Sequence, residues 1–123
     1  EISACLVGSE MCIRDSIYTS TNPAMDDAYD FWQQKKYKEA SYLWEYVYEE
    51  QKNETTRAMA AANLAVYNEL FDNYKVAIEW VDKSLSLFEK RVDSNASDIT
   101  ALRDYRRQLM ERKSDNSLLQ KQM

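Results

Sequence analysis

Chemistry on this chain has few residue types to draw on: its 123 residues include no His, one Gly and two Cys. Without His there is no Ser-His-Asp or Cys-His constellation and no His-containing metal site. One Gly cannot build a Gly-rich phosphate loop or a dinucleotide fingerprint. Carboxylates remain. Asp26/Asp30 and Glu45/Glu49 are i, i+4 pairs, the spacing that puts two carboxylates on one helical face for acid/base work or a hard cation. No Ca-loop spacing and no Glu-x-x-His accompanies them, so helix-start charge and solvated faces account for them better. No catalytic, cofactor-binding or metal-ligating set is therefore expected.

The two cysteines, Cys5 and Cys12, sit seven residues apart, which would invite a redox or disulfide role. Their context argues otherwise. The run Leu6-Val7-Gly8-Ser9-Glu10-Met11-Cys12-Ile13-Arg14-Asp15 resembles a translated transposase-based sequencing-library adapter, CTC GTG GGC TCG GAG ATG TGT ATA AGA GAC. Ser16 fits the adapter bases that follow, and Glu1-Ile2-Ser3-Ala4-Cys5 fits the indexed stretch before it. On this reading residues 1–16 are a non-native segment to be set aside before fold reasoning. The native part starts near Ile17, and the want of a leader says nothing about compartment. The full chain has 16 basic and 21 acidic side chains, net −5; without residues 1–16 these become 15 and 18, net −3. The native part then holds no Gly, Cys or His.

With 45% hydrophobic and 12% aromatic residues, the chain has the apolar surface to fold as one domain. Arg103, Arg106, Arg107, Arg112 and Lys113 form its densest basic cluster, which could meet phosphates. Asp104 and Glu111 are interleaved, the chain is acidic, and no aromatic ladder offers base stacking. A solvated helix face is the better account, and nucleic acid is not expected as a partner. No 18-residue apolar run is present, so no membrane span is expected.

The elements that position these residues all read as helices. Asn22-Pro23 marks a helix start, with Asp26, Asp27 and Asp30 near its positive end, predicting a helix from Pro23 to about Gln34. After Lys35-Lys36, residues Ala40, Leu43, Trp44, Val47 and Gln51 recur at helical spacing. Asn53 caps an alanine-rich helix over Thr55–Phe71 that can be closely approached. Ala77, Trp80, Val81, Ser84, Leu85 and Phe88 make another stripe over Tyr74–Val92. The residues 93–96 read as a polar connection with Ser97 as a cap. A closing helix follows to about Lys113 on Ile99, Leu102, Arg106, Leu109 and Met110, and residues 114–123 read as a polar, frayed tail.

Tyr37-Lys38-Glu39-Ala40 and Tyr74-Lys75-Val76-Ala77 each sit at a break between helices, 37 residues apart, and lead to Trp44 and Trp80. Tyrosine fills the elbow of a helix pair, alanine permits close approach, and tryptophan fills the space between pairs. The pattern resembles the tetratricopeptide repeat (TPR), whose unit is about 34 residues; Asn63-Leu64-Ala65 falls where that family has Asn-Leu-Gly. Lys35 and Asp72 stand where the family places a turn glycine, and its repeat-ending proline is absent. The resemblance implies an all-α fold of antiparallel helix pairs, two helix-turn-helix units plus a C-terminal capping helix, as a fragment of an α-solenoid over residues 17–113. The order Asn22-Pro23, Tyr37/Ala40/Trp44, Ala61-Ala62-Asn63-Leu64-Ala65, Tyr74/Ala77/Trp80 and Leu109/Arg112 also resembles an uncharacterised Bacteroidota family, often predicted lipoproteins. That likeness implies a cell-envelope origin, with this chain the C-terminal part of a larger protein, and no reaction.

In tetratricopeptide arrays the first helix of each pair lines a concave ligand groove. The resemblance therefore points to Tyr29 and Trp32 on the first helix and Asn63, Val66 and Glu69 on the third as a peptide-binding groove, the expectation being a non-catalytic scaffold for a protein or peptide partner. A second expectation is a structural homo-oligomer formed through a self-complementary patch of Tyr42, Tyr46 and Tyr48.

Overall fold

The computed structural model describes residues 17–122; Cys5, Cys12 and the adapter-like run lie outside the described residues. Five helices follow one another: α1 (Pro23–Gln33), α2 (Tyr37–Glu50), α3 (Glu54–Leu70), α4 (Tyr74–Phe88) and, after a 3-10 turn at Glu89–Arg91, α5 (Val92–Gln122). The protein is all-α, with no strand among the described residues. Each helix packs on the next in chain order, α1 on α2, α2 on α3, α3 on α4 and α4 on α5.

The boundaries follow from local chemistry. Asn22 accepts from the Ala24 and Met25 amides at 3.0 and 3.2 Å, with Pro23 in the first helical position. Asn53 does the same for α3, accepting from Thr56 N at 3.0 Å. The turns ending α1 and α3 share one geometry. After α1 the Lys35 and Lys36 amides donate to the carbonyls of Trp32 and Phe31; after α3 the Asp72 and Asn73 amides donate to those of Glu69 and Asn68. Each is a Schellman cap with its pivot residue left-handed, Lys35 at φ 64° and Asp72 at φ 60°. Both pivots hold a conformation that suits glycine better.

Helix α3 lies between α2 and α4 and is buried almost all round, from Ala58 and Ala60 through to Val66. Its alanines let both neighbours approach, and Ser84 of α4 donates to the Ala58 carbonyl at 2.7 Å across that contact. Trp44, Val47, Val81, Phe88, Leu102 and Leu109 fill the core around it. Trp80 is only half-buried, packed at the edge of the core on Tyr48.

The C-terminal third departs from expectation. Helix α4 ends at Phe88, four residues before Val92. The polar connection expected over residues 93–96 is a kink within α5, where two helical stretches meet at the non-helical Asn95 (φ −117°, ψ 20°) while Asp93, Ser94 and Ala96 are exposed. Asn95 is buried because its Nδ2 donates to the Phe88 carbonyl at 3.0 Å and closes the end of α4. On α5 the inward row is Ile99, Leu102, Tyr105 and Leu109. Arg106 instead reaches Asp82 at 2.6 Å and Met110 is exposed, because Tyr105 sits closer to the centre of the 102–109 stripe. The helix also continues beyond Lys113 to Gln122, as that stretch holds no Gly or Pro to stop it.

Candidate functional site

Helices α1, α3 and α5 alternate in packing order, and their backbones do not pack closely on one another. Side chains bridge the face they share. At its centre Glu69 of α3 accepts from Tyr105 Oη at 2.6 Å through Oε1 and pairs through Oε2 with the Arg112 guanidinium, so that one carboxylate ties α3 to α5 at two points of α5. Around this pair lies a cavity of about 320 Å³ lined by Trp32, Val66, Glu69, Leu70, Asp72, Tyr74 and Arg112. Its wall combines two aromatic rings, two aliphatic side chains and charges of both signs. Trp32 is fixed by rings on either side, 4.6 Å from Tyr37 edge-on and 5.4 Å from Trp44. Tyr74 donates to Asp72 Oδ1 at 3.0 Å; burial, and then this bond, hold its phenol above the ordinary tyrosine range.

Toward the other end of α3 the face is occupied by the chain itself. Ile17 and Tyr18 precede α1 and cross α3 at Asn63. The Tyr18 N–H donates to Asn63 Oδ1 at 2.7 Å, and Asn63 Nδ2 donates to the Tyr18 carbonyl at 2.9 Å. One carboxamide thus satisfies both main-chain groups of one residue, as a neighbouring strand would. Ile17 is buried in the core, the Tyr18 ring lies 5.9 Å from Phe88, and its hydroxyl donates to Asp98 Oδ1 at 2.7 Å. Burial first, and then Asp98, push the Tyr18 phenol far above the ordinary range.

Of the five groove residues expected from sequence, Trp32, Val66 and Glu69 line the cavity together. Asn63, 1% exposed, is engaged by Tyr18 and not by open solvent. Tyr29 is half-buried against the core and is not part of the cavity lining. Sequence reasoning missed Tyr105 and Arg112 as partners of Glu69, and Leu70 and Tyr74 as lining. Tyr105 carried a usable signal, three residues after Leu102 and four before Leu109. The Ile17-Tyr18 strap carried none, being a non-helical dipeptide without periodicity.

The other chemistry-bearing groups are accounted for by the surface. Asp26, Asp30, Glu45 and Glu49 are exposed on α1 and α2. Among the described residues no group of three or more metal-ligating side chains is gathered, and no helix is long and apolar enough to cross a membrane. The arginines of α5 each meet a carboxylate: Arg103 meets Glu89, Arg106 meets Asp82, Arg107 meets Asp104 and Glu111, and Arg112 meets Glu69. The hydrogen bond from Arg107 holds the Asp104 carboxyl below its usual range. Tyr42 and Tyr46 are 58% and 54% exposed, one turn apart on α2. Tyr48 does not join them: it turns inward, edge-on to Trp80 at 5.1 Å with Arg57 over its ring at 4.8 Å.

Residues 26–111 match the family described as a domain of unknown function, DUF6340. No curated protein and no solved structure matches the chain.

Proposed function

We propose that this chain, which belongs to the DUF6340 family, acts as a non-catalytic TPR-like scaffold that holds a protein or peptide segment on the face of α1, α3 and α5. A single observation carries the reading. The face already accommodates extended chain, with Asn63 bonded to both main-chain groups of Tyr18, and toward the other end of α3 it stays open as a cavity of about 320 Å³ with Trp32, Leu70 and Tyr74 in its wall. Rigid aromatic and aliphatic walls around a few fixed polar groups suit the anchoring side chain of a peptide. Glu69 and Arg112 pair with each other there, and Asp72 leaves the wall one negative charge in excess. The like turns 37 residues apart and the helix-on-next-helix packing support the repeat character. A cell-envelope setting rests on the family resemblance of the sequence alone.

The test is a titration of a partner, isolated by affinity capture, against the chain and its Leu70→Glu and Trp32→Ala variants. Leu70 is about half exposed, so its substitution leaves the fold intact while placing a charge in the cavity wall. At least tenfold weaker binding by L70E is expected; undiminished binding by both variants removes the groove. A second reading, favoured by the exposure of Tyr42 and Tyr46, is self-association through α2. Sedimentation of the chain as a strict monomer at high concentration overturns it.

A further inference from the structure

The strap at residues 17–22 has the properties of a bound ligand, and its chemistry describes the segment the groove selects. Its contacts fall into three kinds. Asn63 reads the main chain of Tyr18 through one bond given and one accepted, which requires an extended residue with a free N–H and excludes proline. The core pocket takes the apolar side chain of Ile17. The third contact is specific to side-chain type: the Tyr18 ring lies on Phe88 and its hydroxyl donates to Asp98 Oδ1 at 2.7 Å. Phenylalanine would leave that bond unmade, and a charged side chain would have to be desolvated against Phe88.

On its C-terminal side the strap is fixed by Asn22, which caps α1 and whose amide donates to Ser20 Oγ at 2.9 Å. Between this anchor and Tyr18 lies the short polar stretch Thr19-Ser20-Thr21, and both Thr19 and Thr21 are exposed. Ile17 and Tyr18 can therefore leave the face by rotation about Thr19 and Ser20 while α1 stays capped. Their departure would free Asn63 and extend the open groove from the cavity at Trp32 across to Asp98.

We infer that the groove selects an extended protein segment bearing an aliphatic residue followed by tyrosine, and that such a segment binds by displacing Ile17 and Tyr18 from Asn63, Phe88 and Asp98. This rests on the peptide-binding reading above and adds to it the identity of the recognised dipeptide and the resident competitor. Since the competitor is tethered, it acts at a high effective concentration, and the groove discriminates against all but close mimics of it.

The probe is an acetylated, fluorescein-labelled hexapeptide with the sequence of residues 17–22, followed by polarisation against the full chain and against its Ile17→Ala/Tyr18→Ala variant. The double variant is expected to bind the peptide at least tenfold more tightly than the unmodified chain. A peptide with phenylalanine in place of tyrosine is expected to bind about fivefold more weakly than the tyrosine peptide. Tyr18→Phe in the chain, which removes only the bond to Asp98, is the milder companion should the double variant lose its helical circular dichroism; it is expected to raise peptide affinity about threefold. A helical double variant that binds the peptide no better than the unmodified chain overturns the inference, as does a Tyr18→Phe chain without gain. The two readings fail separately: partner binding that is sensitive to L70E in the absence of peptide binding leaves the scaffold and removes only the strap competition. Peptide binding without any L70E-sensitive partner does the reverse.

Discussion

Asn63 shows how one buried amide can decide a site. A polar side chain in the middle of an alanine-rich helix is costly unless both its donor and acceptor are used, and here the Tyr18 main chain uses both. Asn63→Ala removes two hydrogen bonds and leaves Tyr18 main-chain groups without them; a loss of about 2–3 kcal/mol is expected in urea unfolding. A loss below about 0.5 kcal/mol would mean that the strap contributes nothing to the fold. The Tyr18 phenol offers a separate check by pH. Its ionisation is held above the ordinary value in the fold, so the stability it contributes is complete below about pH 10 and falls as pH rises beyond that. Tyr18→Phe is expected to be somewhat less stable at pH 7, through the lost bond to Asp98, and to lose less stability than the unmodified chain between pH 10 and 11. Parallel alkaline limbs for the two chains would refute this. At this scale the sequence disclosed residue types and left their partners open. Nothing in Asn63 or Glu69 names Tyr18, Tyr105 or Arg112, since these pairs are separated by 36 to 45 positions.

Elements were more legible, because helices are set by neighbours three and four residues away. The caps Asn22 and Asn53 and the Lys35-Lys36 and Asp72-Asn73 breaks fall where the sequence places them. The misplaced boundaries have a common cause. Asn95 looks like loop chemistry, yet its side chain closes the end of α4, a use that depends on where α5 docks. Tyr105 lost the inward position to Arg106 on paper because a long cation and an aromatic one residue apart are hard to rank without the facing helix. The turns permit a direct test. Lys35 holds φ 64° without the help of glycine, so Lys35→Gly is expected to stabilise by up to about 1 kcal/mol and raise the Tm. Asp72→Gly should gain less, since it also forfeits the bond from Tyr74. A Lys35→Gly chain that is clearly less stable would show that the lysine side chain does more than occupy the turn.

Across the whole molecule, stability and site depend on how closely α3 is enclosed. Ala65 is completely buried between the neighbouring helices, so Ala65→Leu is expected to cost about 1–3 kcal/mol by overpacking and to widen the groove by pushing helices apart. Urea unfolding together with the L70E-sensitive partner titration measures both; an Ala65→Leu chain of unchanged stability would show a looser interior than the alanine row suggests. The sequence by itself determined the all-α class and the order of the five helices, because both follow from local periodicity, and it excluded any His-dependent constellation by composition. The repeat resemblance grouped Tyr29, Trp32, Asn63, Val66 and Glu69, and of these Trp32, Val66 and Glu69 line the cavity. Only the tertiary structure decided that Asn63 is occupied, that Arg112 and Tyr105 share Glu69, and that Tyr48 turns away from Tyr42 and Tyr46. Those outcomes rest on contacts between segments far apart in the chain, whose energies exist only once the helices have docked.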